Sequence, residues 1–225
     1  MVTSGNLLCG MMALMLLYGG RPVPAAWLVF AAVFFDILDG KVARSLGGGT
    51  RFGLEFASLA DMVSFGVAPA MLIYSDYMGA LGLWGVLSGS YFTLCGGLRL
   101  ARFNIINMPG PFQGLPIPAG GLFLTAFVLA GAPLHPAAAA FICVAAGSLM
   151  ISSVPYGNLK GLKASETDIK KWLLLAAILA ACFMFLKSWA PLAAITIYVF
   201  SGPVRFDWGK WLSGEKRVKT AGKKI

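Results

Sequence analysis

Apolar positions in this chain run on for about 20 residues at a time, broken by brief clusters of Gly, Pro and charge. A helix that crosses the hydrocarbon core of a bilayer needs about 20 mostly apolar residues, within a range of about 17–25. The segments that fit are roughly 4–20, 23–45, 53–75, 79–104, 116–132, 134–154, 170–187 and 189–203. This pattern predicts an all-α, polytopic membrane protein with about eight transmembrane helices. The last two segments are short and read as a tight hairpin or one broken segment; Pro191 favours a break, because proline cannot donate to the preceding turn. The first segment has no basic leader and no small-residue cleavage site before Arg21, so it reads as a retained helix and not a signal peptide.

Composition agrees. Of 225 residues, 58% are hydrophobic and 12% charged, and the mean hydropathy is +0.79; a soluble domain carries about 25% charged residues. The net charge of +9 is distributed unevenly. With eight spans and both termini on one face, all 18 Lys and Arg except Arg21 and Lys187 fall on that face. The positive-inside rule makes that face cytoplasmic. The tail 210–225 has six basic residues against Glu215. Near anionic lipid each basic residue contributes about 1 kcal/mol, so the basic balance reads as membrane contact and not nucleic-acid binding.

No soluble domain is apparent, and the longest polar connection, 155–169, reads as a cytoplasmic loop. Cys9, Cys95, Cys143 and Cys182 sit singly in apolar stretches and read as small buried residues. His135 reads as a loop residue on the outer face. Gly85 and Gly89 form a small-xxx-small pattern that lets helix backbones approach closely.

The informative charges are acids inside apolar segments. Asp36, Asp39, Glu55 and Asp61 lie within or at the ends of the second and third segments. A carboxylate in a spanning helix costs about 2.5–3.5 kcal/mol on insertion scales, and such residues usually mark function. Asp36, Asp39 and Ala43 share one helical face; Gly53, Ala57 and Asp61 share another. A short glycine-rich connection joins the two segments, so both faces can meet at the cytoplasmic end. Oxygen donors of this kind suit a hard divalent cation that also binds substrate phosphates. Glu55, two residues from Ala57, points elsewhere and takes no catalytic role. The competing account is a set of helix-end charges paired with Lys41, Arg44 and Arg51; matched spacing in two helices argues against it.

The stretch Asp36-Ile-Leu-Asp39-Gly40-Lys-Val-Ala43-Arg44, followed after eight residues by Gly53, then Ala57 and Asp61, resembles the signature of the CDP-alcohol phosphotransferases, D-x-x-D-G-x-x-A-R-x8-G-x3-D-x3-D. Every position matches except the third aspartate, where this chain has Ala57. Further stretches resemble the phosphatidylserine synthase branch: Thr3-Ser-Gly-Asn6, Ser58 to Ala70, Arg99-Leu-Ala-Arg102-Phe-Asn104, Phe112 to Ala119, and Met150 to Tyr156. The resemblance implies a six-helix catalytic core over residues 1–160, followed by a C-terminal helix pair and basic tail over 161–225. It implies transfer of a phosphatidyl group from CDP-diacylglycerol to L-serine, releasing CMP, at the cytoplasmic membrane, by a chain surrounded by membrane lipids and paired as a homodimer.

The resemblance also implies site roles. Asp36, Asp39 and Asp61 would bind Mg²⁺ or Mn²⁺, with Ca²⁺ a further candidate, and Asp61 would also be the base for the serine hydroxyl. Asn6, Asp36, Gly40, Ala43, Arg44 and Gly53 would line the CDP-diacylglycerol site. Arg99, Arg102 and Asn104 would hold the acceptor carboxylate or the lipid phosphate, since guanidinium groups match such oxygens with paired hydrogen bonds. For Arg44, Arg99 and Arg102 the alternative role is topological anchoring. Ala57 cannot coordinate metal, which predicts little or no transferase activity for the chain as written, with CDP-diacylglycerol binding retained. Two alternatives stand beside serine transfer. One is another CDP-alcohol transferase, of the archaetidylserine, phosphatidylglycerophosphate or inositol phosphate type. The other is a small cation transporter, which would place its acids nearer the bilayer midplane.

Overall fold

The computed structural model describes residues 2–45, 50–105, 112–156 and 187–204. The predicted segment 170–187, the polar connection after Tyr156, Cys182 and the basic tail lie outside the described residues, apart from Lys187 itself.

The helices follow the apolar runs closely: α1 (Val2–Tyr18), α2 (Pro22–Ser45), α3 (Arg51–Asp61), α4 (Ala68–Ile73), α5 (Leu83–Ile105), α6 (Ile117–Ala130), α7 (Pro136–Ile151) and α8 (Ala190–Ser201). α3 and α4 are one continuous helix with a wide π turn, Met62–Val67, between them. Pro69 accounts for the wide turn: its ring cannot donate and would crowd the carbonyl four residues back. The Ala68 N–H instead reaches Val63.

The third predicted segment was expected to end near 75, but its helix runs on through a second π turn (Tyr74–Met78) and a 3₁₀ turn to Leu81. Gly79 stays helical, and the reversal comes at Gly82, whose φ of +53° suits glycine. Pro191 lies in the first turn of α8, just after a short 3₁₀ turn at Lys187–Trp189; the segment before that turn lies outside the described residues. His135 caps α7, its Nδ1 accepting from the Ala137 N–H at 3.3 Å.

α1 packs along α2 and also meets α3 and the π turn; α5 packs on α7; α6 packs on α4 and α8. Small residues set the approach. A methyl group at Gly10 would come 2.8 Å from Ser64 Cα, and one at Gly85 would come 2.6 Å from the Met78 carbonyl. The glycine pair of α5 therefore serves packing within the chain, against the helix before it. Cys9, Cys95 and Cys143 are buried and unpaired.

The inward faces are small and partly polar, while the outward faces carry Leu8, Met11, Met15, Phe34, Leu87, Leu94 and Phe141. Such an exterior suits lipid tails and not water. Among the described residues, two helices are long and apolar enough to cross a membrane, Pro22–Ala43 and Arg51–Leu81.

One feature is not helical. Phe112–Gln113 and Pro155–Tyr156 form a short antiparallel pair, Phe112 opposite Tyr156. Gly114 follows at φ +80°, with its α-carbon so close to the Met150 carbonyl that a side chain has no room. The pair is too short to show a period-2 pattern in sequence. It joins two stretches on which the family resemblance rests.

Candidate active site

Asp39 and Asp61 lie on different helices, and the first turns of α1 hold both. The Thr3 hydroxyl donates to Asp39 Oδ2 at 2.6 Å, and the Asn6 amide donates to Asp61 Oδ1 at 2.8 Å. The Ser64 hydroxyl, in the π turn, donates to the Asn6 carbonyl at 2.8 Å and fixes that helix from the other side. Thr3, Asn6, Gly10, Ala13 and Leu17 form the buried stripe of α1 at helical spacing. A hydrogen bond to a charged group contributes about 1.5–3 kcal/mol, roughly twice a neutral one. These two therefore orient the carboxylates as well as packing the helix. The buried Asn6 Oδ1 has no hydrogen-bond partner among the described residues.

Asp36 sits half-buried one turn before Asp39 on α2, and Gly40 and Ala43 continue toward the helix end, also half-buried. The Arg44 side chain lies outside the described residues. Gly53 has only the Thr50 hydroxyl within reach of where a Cβ would stand, at 3.3 Å, so space remains beside the backbone. That hydroxyl also caps α3, accepting from the Gly53 N–H. Ala57 is half-buried, one turn before Asp61.

The oxygen donors of Asp36, Asp39 and Asp61 fit a hard divalent cation in kind. In number they fall short: among the described residues no three His, Cys, Asp or Glu side chains gather around one point, and Ala57 adds a methyl where the signature has a fourth carboxylate.

The three expected acceptor residues have different neighbours. Arg99 is largely buried, lies within electrostatic reach of Asp61 and of Tyr198 on α8, and keeps its Nε without a partner among the described residues. Arg102 is exposed and donates to Gln113 Oε1 at 3.0 Å, tying α5 to the short strand pair. Asn104 is exposed and donates to Glu55 Oε2 and Ser58 Oγ, both at 3.1 Å, bridging α5 to α3. Glu55 thus engages Asn104 at the exposed side of α3. Of the three, only Arg99 lies within electrostatic reach of a signature acid, Asp61.

Thr3, Ser64 and Tyr198 were not singled out as site residues from sequence. For Thr3 a signal existed: Thr3 and Asn6 are polar at i and i+3 in an apolar helix, the same interval as Asp36 and Asp39. Ser64 and Tyr198 carry no such signal, because their neighbours come from distant segments.

Comparisons with known proteins bear on the family. A CDP-diacylglycerol–serine O-phosphatidyltransferase of Methanocaldococcus jannaschii is 42% identical over 156 residues, 69% of this chain and 71% of that protein. One of the same name from Helicobacter pylori is 35% identical over 207 residues, covering 88% of this chain and 84% of that protein. An archaetidylserine synthase of Methanothermobacter thermautotrophicus is 42% identical over 163 residues, 71% of this chain and 69% of that protein. The CDP-alcohol phosphatidyltransferase profile matches residues 1–203 and so takes in α8 as well as the signature. That likeness removes the ground for reading the acids as a cation transporter's. With the match running through every helix described, the chain belongs to the CDP-alcohol phosphatidyltransferase family, a family of membrane enzymes.

Proposed function

We propose that this chain is built to transfer a phosphatidyl group from CDP-diacylglycerol to L-serine, giving phosphatidylserine and CMP, and that Ala57 leaves it impaired as written. What carries the reading is the pairing of the signature acids with relatives named for serine transfer over most of the chain. In the reaction the serine hydroxyl oxygen attacks the phosphorus that bears diacylglycerol, and the bond from that phosphorus to the CMP oxygen breaks.

Asp61 receives the hydroxyl proton, with Asn6 holding its carboxylate in place. Gly40 and Gly53 leave room for the nucleotide against α2 and α3, Ala43 borders that room, and Arg44 pairs with diphosphate oxygens. Arg99 meets the acceptor carboxylate; Arg102 and Asn104 hold the surrounding chain. Asp36, Asp39 and Asp61 would hold Mg²⁺ or Mn²⁺, which stabilises the charge on attacking and leaving oxygens when bound. The apolar exterior lets the acyl chains of the donor remain in lipid. An acceptor bearing its own phosphate would call for more basic residues than Arg99 at this depth, which favours serine over glycerol phosphate or inositol phosphate.

An acceptor panel tests the reading. The Ala57→Asp variant, given CDP-diacylglycerol with Mg²⁺ or Mn²⁺, is expected to release CMP with L-serine and not with glycerol 3-phosphate or inositol 1-phosphate; chelation should abolish release. Preference for a phosphorylated acceptor would overturn it. Since one relative is named an archaetidylserine synthase, an ether-lipid donor belongs in the same panel.

The site faces the cytoplasm, with about eight spans and both chain termini on that side; the bias of basic residues supports this. In a variant whose native cysteines are changed to serine, Ser213→Cys should react with a membrane-impermeant thiol reagent in inverted vesicles and stay protected in intact cells. The opposite pattern would reverse the topology.

A further inference from the structure

α3 carries Gly53, Ala57 and Asp61, yet little apolar packing holds it. Of its eleven residues only Ala60 is buried, while Arg51, Phe52, Leu54, Glu55 and Leu59 are exposed. Burial of one apolar face is what usually fixes a helix against its neighbours, so polar contacts have more to do here. The C-terminal end has its anchor: α3 runs on into the π turn, Ser64 there holds Asn6, and Asn6 holds Asp61. Gly53 and position 57 lie one to two turns before that anchor.

A second anchor comes from the end of α5. Asn104 Nδ2 donates to Glu55 Oε2 and to Ser58 Oγ, each at 3.1 Å, and Asn104 Oδ1 lies 3.3 Å from the same hydroxyl. The whole Asn104 amide is thus turned onto α3. Glu55 and Ser58, three residues apart, share one side of that helix, while Gly53, Ala57 and Asp61 share another. A grip on the first side sets the rotation of the second. The charge on Glu55 makes its bond the stronger of the two, because a hydrogen bond to an ionised acceptor is roughly twice as strong as a neutral one.

We infer that Asn104 and Glu55 form a clasp that positions the donor half of the site: by holding the first turns of α3 against α5, they keep Gly53 and position 57 in line with Asp61. Both are positioning residues. Asn104 acts on CDP-diacylglycerol through α3 and not on serine by contact, since both of its amide hydrogens are already used. This rests on the reading that Gly53 borders the nucleotide of CDP-diacylglycerol, and not on the identity of the acceptor.

Reversing the clasp tests it. Asn104→Asp sets two carboxylates against each other; Asn104→Asp with Glu55→Gln restores an amide–carboxylate bond with donor and acceptor exchanged. Equilibrium binding of CDP-diacylglycerol is measured on the chain as written, and CMP release against L-serine and CDP-diacylglycerol in the Ala57→Asp background. Asn104→Asp is expected to weaken CDP-diacylglycerol binding and raise its KM by about tenfold, the scale of one hydrogen bond to a charged group. The serine KM should stay within about twofold. The double variant should return to within about threefold of the parent in both measurements, as coupled partners do. Glu55→Ala should show a smaller loss of the same kind, and it decides the matter if melting shows Asn104→Asp to be unfolded. A loss confined to the serine KM would make Asn104 an acceptor ligand and overturn the clasp. So would a double variant no better than a folded Asn104→Asp, or unchanged lipid-nucleotide binding in Glu55→Ala. A parent that releases no CMP with serine overturns the functional reading alone, because the binding measurement still decides the clasp.

Discussion

Replacing Ala57 with aspartate is expected to raise serine-dependent CMP release by at least about 100-fold, since one preorganised electrostatic contact at a transition state is worth about 10²–10³ in rate. Position 57 lies on the same face of α3 as Asp61, one turn away and half-buried. A carboxylate there would join the set that Asp36, Asp39 and Asp61 begin. Phosphoryl transfer is dominated by positioning and charge stabilisation, so a missing ligand affects the step itself more than substrate capture. CDP-diacylglycerol binding to the chain as written should accordingly change much less than the rate. Steady-state CMP release and equilibrium binding of the lipid nucleotide, measured on both proteins, check the two halves. Equal, high activity in both would mean that the fourth carboxylate is not needed in this branch.

Gly10→Val is the second large effect, and it acts from outside the signature. The nearest atoms to a side chain at Gly10 are the Ser64 hydroxyl and Cα, so part of the obstacle is backbone that cannot rotate away. Overpacking of this kind typically costs about 1–3 kcal/mol, and the Ser64 backbone in the way puts this site toward the upper end. The strain would separate α1 from the π turn, and Asn6 and Thr3 are carried on the same stripe. The variant should therefore melt at a lower temperature and, in the Ala57→Asp background, lose most of its CMP release. Gly10→Ala, with one methyl, should show a smaller loss of both. A Gly10→Val protein with parental melting and activity would remove α1 from the account of the site.

Much of this molecule was readable from spacing alone. Apolar runs located α1, α2, α5, α6, α7 and α8 to within a few residues of their ends, because a chain in lipid must satisfy its backbone within each segment. The exception was the boundary near residue 75, where a π turn and a 3₁₀ turn carry the helix on to Leu81. Hydropathy cannot register such turns. The acids were legible for the opposite reason: a carboxylate in an apolar helix is costly, so Asp36, Asp39 and Asp61 stand out individually. Arg99, Arg102 and Asn104, taken as one group in sequence, have separate surroundings in the fold: the first is within electrostatic reach of Asp61, the second bonds Gln113, and the third bonds Glu55 and Ser58.

By itself the sequence determined the helical class, the family, the acidic faces of α2 and α3, and the absence of a carboxylate at position 57. These follow from local composition and from intervals within a helix, which are the same in any surroundings. Only the tertiary structure decided that Thr3 and Asn6 hold Asp39 and Asp61, that Ser64 holds Asn6, and that Tyr156 meets Tyr198. Each of those contacts joins segments far apart in the chain. Their partners are set by how helices pack, through Gly10 and the wide turn before Pro69, and no periodicity within one segment records that.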